Sequence, residues 1–488
     1  MLFNSQFFIF IFLPICLVVW YLLRKFKRYN LSLAFLIGMS LWFYGYFDIH
    51  YLYIIILSIA INYLISFLIK KIEKLKKFFL ITGLVCNLAL LGYFKYFDFF
   101  VSNINAVFKT DFALKHIVLP LGISFFTLQQ ISYIVDRYKG TAPHVNILKY
   151  ASFVTFFPQL VAGPIVLHST LLPQFEAENA RKFDINGFLE GAVRFILGLI
   201  KKVLIADLFA LPVDYGFDKL YYLDTPSAWI VAICYTLEIY YDFSGYSDMA
   251  IGLGKMFGID LPENFDSPYK ATSVRDFWKR WHITLTSFLT SYLYIPLGGN
   301  RKGSFLTALN TIIVFAVSGF WHGASWAFVL WGVLHGFGVL WSRRHFLKVK
   351  NKLPARIFTM FFLVVTWTIF RSETLNTALI MLKKMFIPSN TGFIIDIGST
   401  MSLLPELKGL MEKILHIGAP TLYMVYATLL GVFIVIAFVL CNLKNAREIT
   451  AEQKQKNYSF GFIICLGVAF ALCVIYMTRV STFLYFNF

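Results

Sequence analysis

The sequence predicts an all-α polytopic membrane protein, a helical bundle of about 11–13 spans with re-entrant or interfacial helices around a central cavity. Three observations predict it. The 488 residues are 58% hydrophobic and 19% aromatic, with only 14% charged. Mean hydropathy is +0.69. Apolar runs long enough to cross a hydrocarbon core of about 30 Å recur along the chain. The short polar/apolar alternation of a membrane β-barrel is missing.

The runs fall near 6–23, 31–48, 51–69, 78–97, 117–136, 188–211, 226–241, 306–321, 324–341, 356–371, 421–441 and 460–477. The first is followed by Arg24, Lys25, Lys27 and Arg28, with no small-residue cleavage site, and reads as a retained span. The net charge of +18 follows the same pattern. Basic clusters at 70–77, 343–356 and 444–456 flank apolar runs, whereas 98–116, 212–227 and 372–420 are neutral or acidic. That asymmetry marks the cytoplasmic side and predicts a multi-pass membrane protein with both termini extracytoplasmic. It argues against nucleic acid as a partner; the partner it implies is the bilayer.

Two stretches break the helical pattern. Pro158, Gly163 and Pro164 interrupt 148–173, and residues 242–305 mix Gly, Pro, Asp and Arg with short apolar runs. Irregular backbone at membrane depth is tolerated only inside protein or along a wet cavity, so both are expected to border one. Residues 372–420 form an extracytoplasmic excursion containing an interfacial helix near Leu379–Phe386. With no internal repeat, residues 1–488 read as one integral domain. The six cysteines are scattered, and no metal-ligand spacing is found.

His322 lies in the run Ser318-Gly-Phe-Trp-His-Gly-Ala-Ser-Trp326, at the junction of two apolar helices. An imidazole in such a segment is costly unless it has a partner or a task. A packing role is the bland alternative. Ser318, one turn earlier, lacks the Gly-x-Ser-x-Gly context of a nucleophile, and His335 reads as a packing or structurally hydrogen-bonded residue. A second motif, Arg275-Asp-Phe-Trp-Lys-Arg-Trp-His282, spaces Arg275, Lys279 and His282 so that a helix would put them on one face. Trp278 and Trp281 would then sit near the membrane interface. Such a face suits an anionic cytosolic donor, although a plain basic surface helix has the same pattern. Glu238, Asp242 and Asp248 are three acids within eleven residues, either a structural network or a patch that orients a histidine or substrate. The tail Phe483-Leu-Tyr-Phe-Asn-Phe488 is almost wholly aromatic, with Tyr485 its only side-chain hydroxyl. An aromatic-belt anchor is the simple reading.

Taken in order, Met1-Leu-Phe-Asn-Ser-Gln-Phe, Phe157-Pro-Gln-Leu-Val-Ala-Gly-Pro164, Tyr241-Asp-Phe-Ser-Gly-Tyr-Ser-Asp-Met-Ala-Ile251, Arg275–His282 and Ser318–Ala324 resemble the membrane-bound O-acyltransferase superfamily, in its bacterial alginate O-acetyltransferase-type branch. The resemblance implies a bundle around a funnel and tunnel. It implies His322 as the catalytic base at the bottleneck and His282 on the donor side. Arg275, Trp278, Lys279, Trp281, Ser318 and Trp321 then become donor- or tunnel-lining candidates, with Asp242, Asp248 and Asn264 in support. It also implies acetyl-CoA or another acyl thioester as a donor substrate, with no bound cofactor, and an extracytoplasmic SGNH-type acetyltransferase as partner. Tyr485 becomes a candidate acyl relay. The expected function is O-acetylation of an extracytoplasmic polysaccharide. D-alanyl transfer to teichoic acid and non-enzymatic acyl export are the alternatives.

Overall fold

A chain that must satisfy every backbone N–H and C=O away from water folds its apolar runs as helices, and this one does. The structure, a computed structural model, describes residues 1–176, 182–345, 352–403, 419–477 and 483–484; among these it is helical with no strand. Six of the helices are long and apolar enough to cross a membrane: Phe8–Lys25, His50–Lys71, Glu73–Phe94, Gly303–His322, Lys352–Arg371 and Thr421–Asn442.

The chain divides into two compact units. The first comprises Met1–Gly198, Tyr246–Asn264 and Thr450–Phe486. Phe3, Phe8, Phe12, Phe43 and Phe157 form its aromatic centre, with ring centroids 5.1–6.4 Å apart. Polar side chains tie its helices together. Asn87 donates to Asn62 at 2.6 Å, Gln130 to Ser58 at 2.9 Å and Tyr150 to Gln130 at 3.2 Å. Such bonds between apolar helices contribute on the order of 1 kcal/mol each. Arg194 is clamped between Asp248 at 2.7 Å and Glu263 at 2.6 Å.

The second unit comprises Leu199–Gly245 and Phe265–Ile449. Its centre is the helix pair Gly303–His322 and Trp326–His345, joined by Gly323, Ala324 and Ser325. Glycine lets these backbones touch. A Cβ on Gly319 would lie 2.1 Å from the Phe328 carbonyl oxygen, and one on Gly332 would lie 2.1 Å from that of Phe315. The stretch 372–403 is anchored here too. The Leu375–Phe386 helix buries Ala378, Met381 and Met385 and exposes Leu379 and Phe386, and the Trp229 indole donates to the Met385 carbonyl at 2.8 Å. Asp224 accepts from the backbone N–H groups of Thr391 and Gly392 at 2.8 and 3.0 Å. Burial pushes its carboxyl up, but hydrogen bonds from Ser227, Thr391 and Phe393 outweigh that and hold it at about 2.

One expectation changes. The irregular stretch does not begin at 242: the helix Thr225–Met256 runs straight through the Tyr241–Ile251 motif. Its acids do not break it because they are neutralised by cations from the 188–211 run. Within the second unit, Lys202 reaches Asp242 at 2.6 Å and Asp207 at 2.9 Å from a π-helical turn, Lys201–Ala206. Beyond Met256 the irregularity is as expected, a series of short helices at Pro268–Lys270, Val274–Trp278, Ile283–Leu289 and Thr290–Tyr294. The 148–173 stretch is likewise broken, into Ile147–Thr155, Phe157–Leu160 and His168–Leu171, with most of it buried.

Candidate active site

The second unit brings His282 and His322 together. His322 is the last residue of its helix, ended by Gly323 in extended conformation, and is 4% exposed. His282 is fully buried. Their ring centroids lie 6.4 Å apart at 54°, so both imidazoles border the same small volume.

Aromatic rings enclose them. His322 meets the Trp331 edge at 5.4 Å and Phe370 at 5.3 Å, and Trp321 lies 5.0 Å away. His282 stands perpendicular to Phe243 at 4.8 Å and faces Trp321 at 6.3 Å. A low-polarity enclosure disfavours imidazolium and so keeps a histidine in the neutral form that accepts a proton. For His282, burial pushes the imidazole down to about 3.

The second histidine motif is not one continuous helix face. Its helix begins at Ser273, whose hydroxyl caps the Asp276 N–H at 3.1 Å, and stops at Trp278. His282 then adopts a left-handed backbone, φ 44° and ψ 52°, and starts the next helix. Arg275 and Lys279 stay exposed while His282 turns inward, so the three do not share a face. A positive φ at a non-glycine residue costs of order 1 kcal/mol and persists only where the surroundings impose it. Trp278 and Trp281 are buried in the fold. They are 5% and 3% exposed, with Trp281 4.9 Å from Trp367 and Trp278 5.8 Å from Trp331. Each ring finds an aromatic partner inside.

His335 has a structural hydrogen bond. The Trp278 indole donates to its Nδ1 at 3.0 Å. Because indole nitrogen only donates, Nδ1 is the acceptor and Nε2 carries the proton, directed to the Thr366 hydroxyl at 3.1 Å. This chain ties the histidine-motif helix to the Trp326–His345 and Lys352–Arg371 helices.

Other sequence candidates have different surroundings. Ser318 is buried one turn before His322. Asp242 is paired with Lys202, as above. Asp248 and Asn264 belong to the first unit, where Asp248 holds Arg194 and Asn264 donates to Ser247 at 3.3 Å. Of the aromatic tail, Phe483 is buried, 4.3 Å from Tyr246, and Tyr485 lies outside the described residues. Trp331 and Phe370 pack on His322 and Phe243 on His282, but none was singled out from sequence; their signal was only aromatic enrichment in apolar helices. A groove of about 910 Å³ also opens in the second unit, lined by Val274, Asn300, Thr307, Phe337 and Arg343. Among the described residues, no group of three or more His, Cys, Asp or Glu is placed to hold a metal.

The apolar helices define a class, multi-pass membrane proteins, and within this one two histidines are buried side by side. The model of the membrane-bound O-acyltransferase family (MBOAT) matches residues 142–369, which include both histidines. A peptidoglycan O-acetyltransferase of Helicobacter pylori is 38% identical over 524 aligned positions, covering 100% of this chain and 98% of that protein. A Pseudomonas putida protein named probable alginate O-acetylase is 41% identical over 397 positions, covering 79% of this chain and 80% of its own length. A teichoic acid D-alanyltransferase of Streptococcus thermophilus is 28% identical over 251 positions, 48% of this chain and 59% of that one. The chain belongs to the membrane-bound O-acyltransferase family and is a multi-pass membrane O-acyltransferase.

Proposed function

We propose that the protein takes an acetyl group from a cytosolic thioester, acetyl-CoA in the first instance, and passes it across the membrane for O-acetylation of an extracytoplasmic polysaccharide. Peptidoglycan is the acceptor to test first, because the relative aligned over the whole chain is named for it. The observation that carries the chemistry is the pair of imidazoles 6.4 Å apart in the aromatic chamber. Neutral His322 accepts the proton of the acceptor hydroxyl as its oxygen attacks the thioester carbonyl. The C–S bond then breaks, and the leaving thiolate takes the proton from the imidazolium. His282 borders the donor side. The thioester is a substrate, so the scheme requires no resident cofactor.

Charge sets the direction. With the basic clusters in the cytosol and both termini outside, Gly303 is the inner end of its helix, and His322 lies about 28 Å further out at about 1.5 Å per residue. The groove beside Asn300 and Arg343 is the donor's entry, where cations meet phosphate. An extracytoplasmic SGNH-type acetyltransferase completes transfer, with Tyr485 as relay. Burial of Phe483 two residues upstream supports a tail that enters the fold and does not merely float at the interface. A phenyl ester is more reactive than a sugar ester because phenol, with a pKa near 10, is the better leaving group.

Proteoliposomes supplied with labelled acetyl-CoA on the basic face provide the test. The expected result is alkali-labile label on the protein tail, lost in both His322→Ala and Tyr485→Phe. Label retained in Tyr485→Phe but lost in His322→Ala rejects the relay alone; label retained in both rejects His322 as base.

A further inference from the structure

The first unit holds a groove that the acyl-transfer chemistry does not use. Its volume is about 1090 Å³, and it lies along the first membrane helix. Its wall runs from Ile9 through Leu13 and Leu17 to Tyr21, and its rim carries Arg24, Lys25, Lys27 and Lys182. From Ile9 to Arg24 the helix rises about 22 Å at 1.5 Å per residue. One leaflet of hydrocarbon is about 15 Å deep, so apolar wall and basic rim match the length and polarity of a single lipid standing in its leaflet.

The rim is built around Arg24. Its guanidinium stacks on Trp20 at 4.4 Å, and the Trp20 indole is itself fixed to the Phe257 carbonyl at 3.2 Å. Arg24 Nε is buried and makes no hydrogen bond among the described residues. None of the four rim cations forms an ion pair there either. On the other wall, Tyr21 meets the Phe183 edge at 5.1 Å and donates to the Met256 carbonyl at 2.7 Å, which keeps the groove open beside Lys182. Four cations with no ion pair among the described residues, at one end of an apolar groove, call for an anion that carries hydrocarbon.

We propose that this groove is a binding site for an anionic phospholipid, its acyl chain against Leu13 and Leu17 and its phosphate at Arg24, Lys27 and Lys182. Basic pockets between membrane helices on the cytoplasmic side select anionic headgroups in this way. Bound there, the lipid fastens the first helix to the Ile185–Ile200 helix.

Native mass spectrometry of the purified full-length protein tests the site, with phosphatidylglycerol and phosphatidylcholine of matched chains as probes. Wild type is expected to retain phosphatidylglycerol on the order of tenfold better. Lys27→Gln/Lys182→Gln, which changes only exposed side chains, is expected to remove most of that preference, and adding Arg24→Gln the rest. Ala192→Phe, which narrows the groove, is expected to weaken retention of both lipids. Equal retention by wild type, or a preference that survives the triple substitution, overturns the proposal. Displacement of phosphatidylglycerol by acetyl-CoA also overturns it, by assigning the groove to the donor.

Discussion

Within the second unit, two clusters bury polar groups by opposite means. At Lys202 opposite charges are paired, with the carboxylates of Asp207 and Asp242 at 2.9 and 2.6 Å from one ammonium. At His282 and His322 the enclosure is a cage of rings that disfavours charge. The first arrangement holds helices in register; its groups are committed to each other. The second buries two imidazoles 6.4 Å apart among rings, where burial holds His282 in its neutral form. One cluster neutralises its charges and the other is built from groups that carry none.

Separating the two effects breaks or sharpens this contrast. The largest effect is expected from His322→Ala, which should lower acyl transfer about 10²–10⁴-fold. Its thermal midpoint should stay near wild type, so a parallel collapse of stability would make His322 a packing residue. Next is Lys202→Met, which takes the cation from the buried Asp242 and the half-buried Asp207 and should cost about 3–5 kcal/mol. The expected pattern is reversed: a large drop in denaturation midpoint, with turnover per folded molecule little changed. Asp224→Ala comes third, at about 2–3 kcal/mol, because it strips acceptors from the backbone N–H groups of Thr391 and Gly392. Proteolysis within 372–403 should report it first.

The most gradual effect concerns pH. Burial lowers His282 to about 3, so between pH 6.5 and 3 the unfolded chain takes up a proton that the folded chain refuses. His282 therefore imposes no penalty above pH 6.5, and stability falls by about 1.4 kcal/mol per unit as pH drops through that window. His282→Asn should flatten this part of the stability–pH curve. An unchanged slope would place the acid sensitivity elsewhere.

The sequence announced the helical class and the histidine pair, because hydropathy and an imidazole at the mouth of an apolar run are local signals. It misplaced what depends on distant partners. Asp242 and Asp248 looked like helix-breaking chemistry, yet Lys202 and Arg194 neutralise them and the helix continues. Those cations were themselves visible inside the 188–211 run, where a buried charge demands a counter-charge. The turn at His282 was invisible because spacing alone cannot show where a helix ends in a left-handed residue. Trp278 and Trp281 looked interfacial because a tryptophan's surroundings are set by rings far along the chain, here Trp331 and Trp367.

The glycines between the Gly303–His322 and Trp326–His345 helices have one more consequence. With backbone against backbone at Gly319 and Gly332, neither helix can slide or rotate without collision. His322 is therefore a fixed station. An imidazole held there cannot swing between the two ends of its helix; whatever it meets must travel to it and leave again.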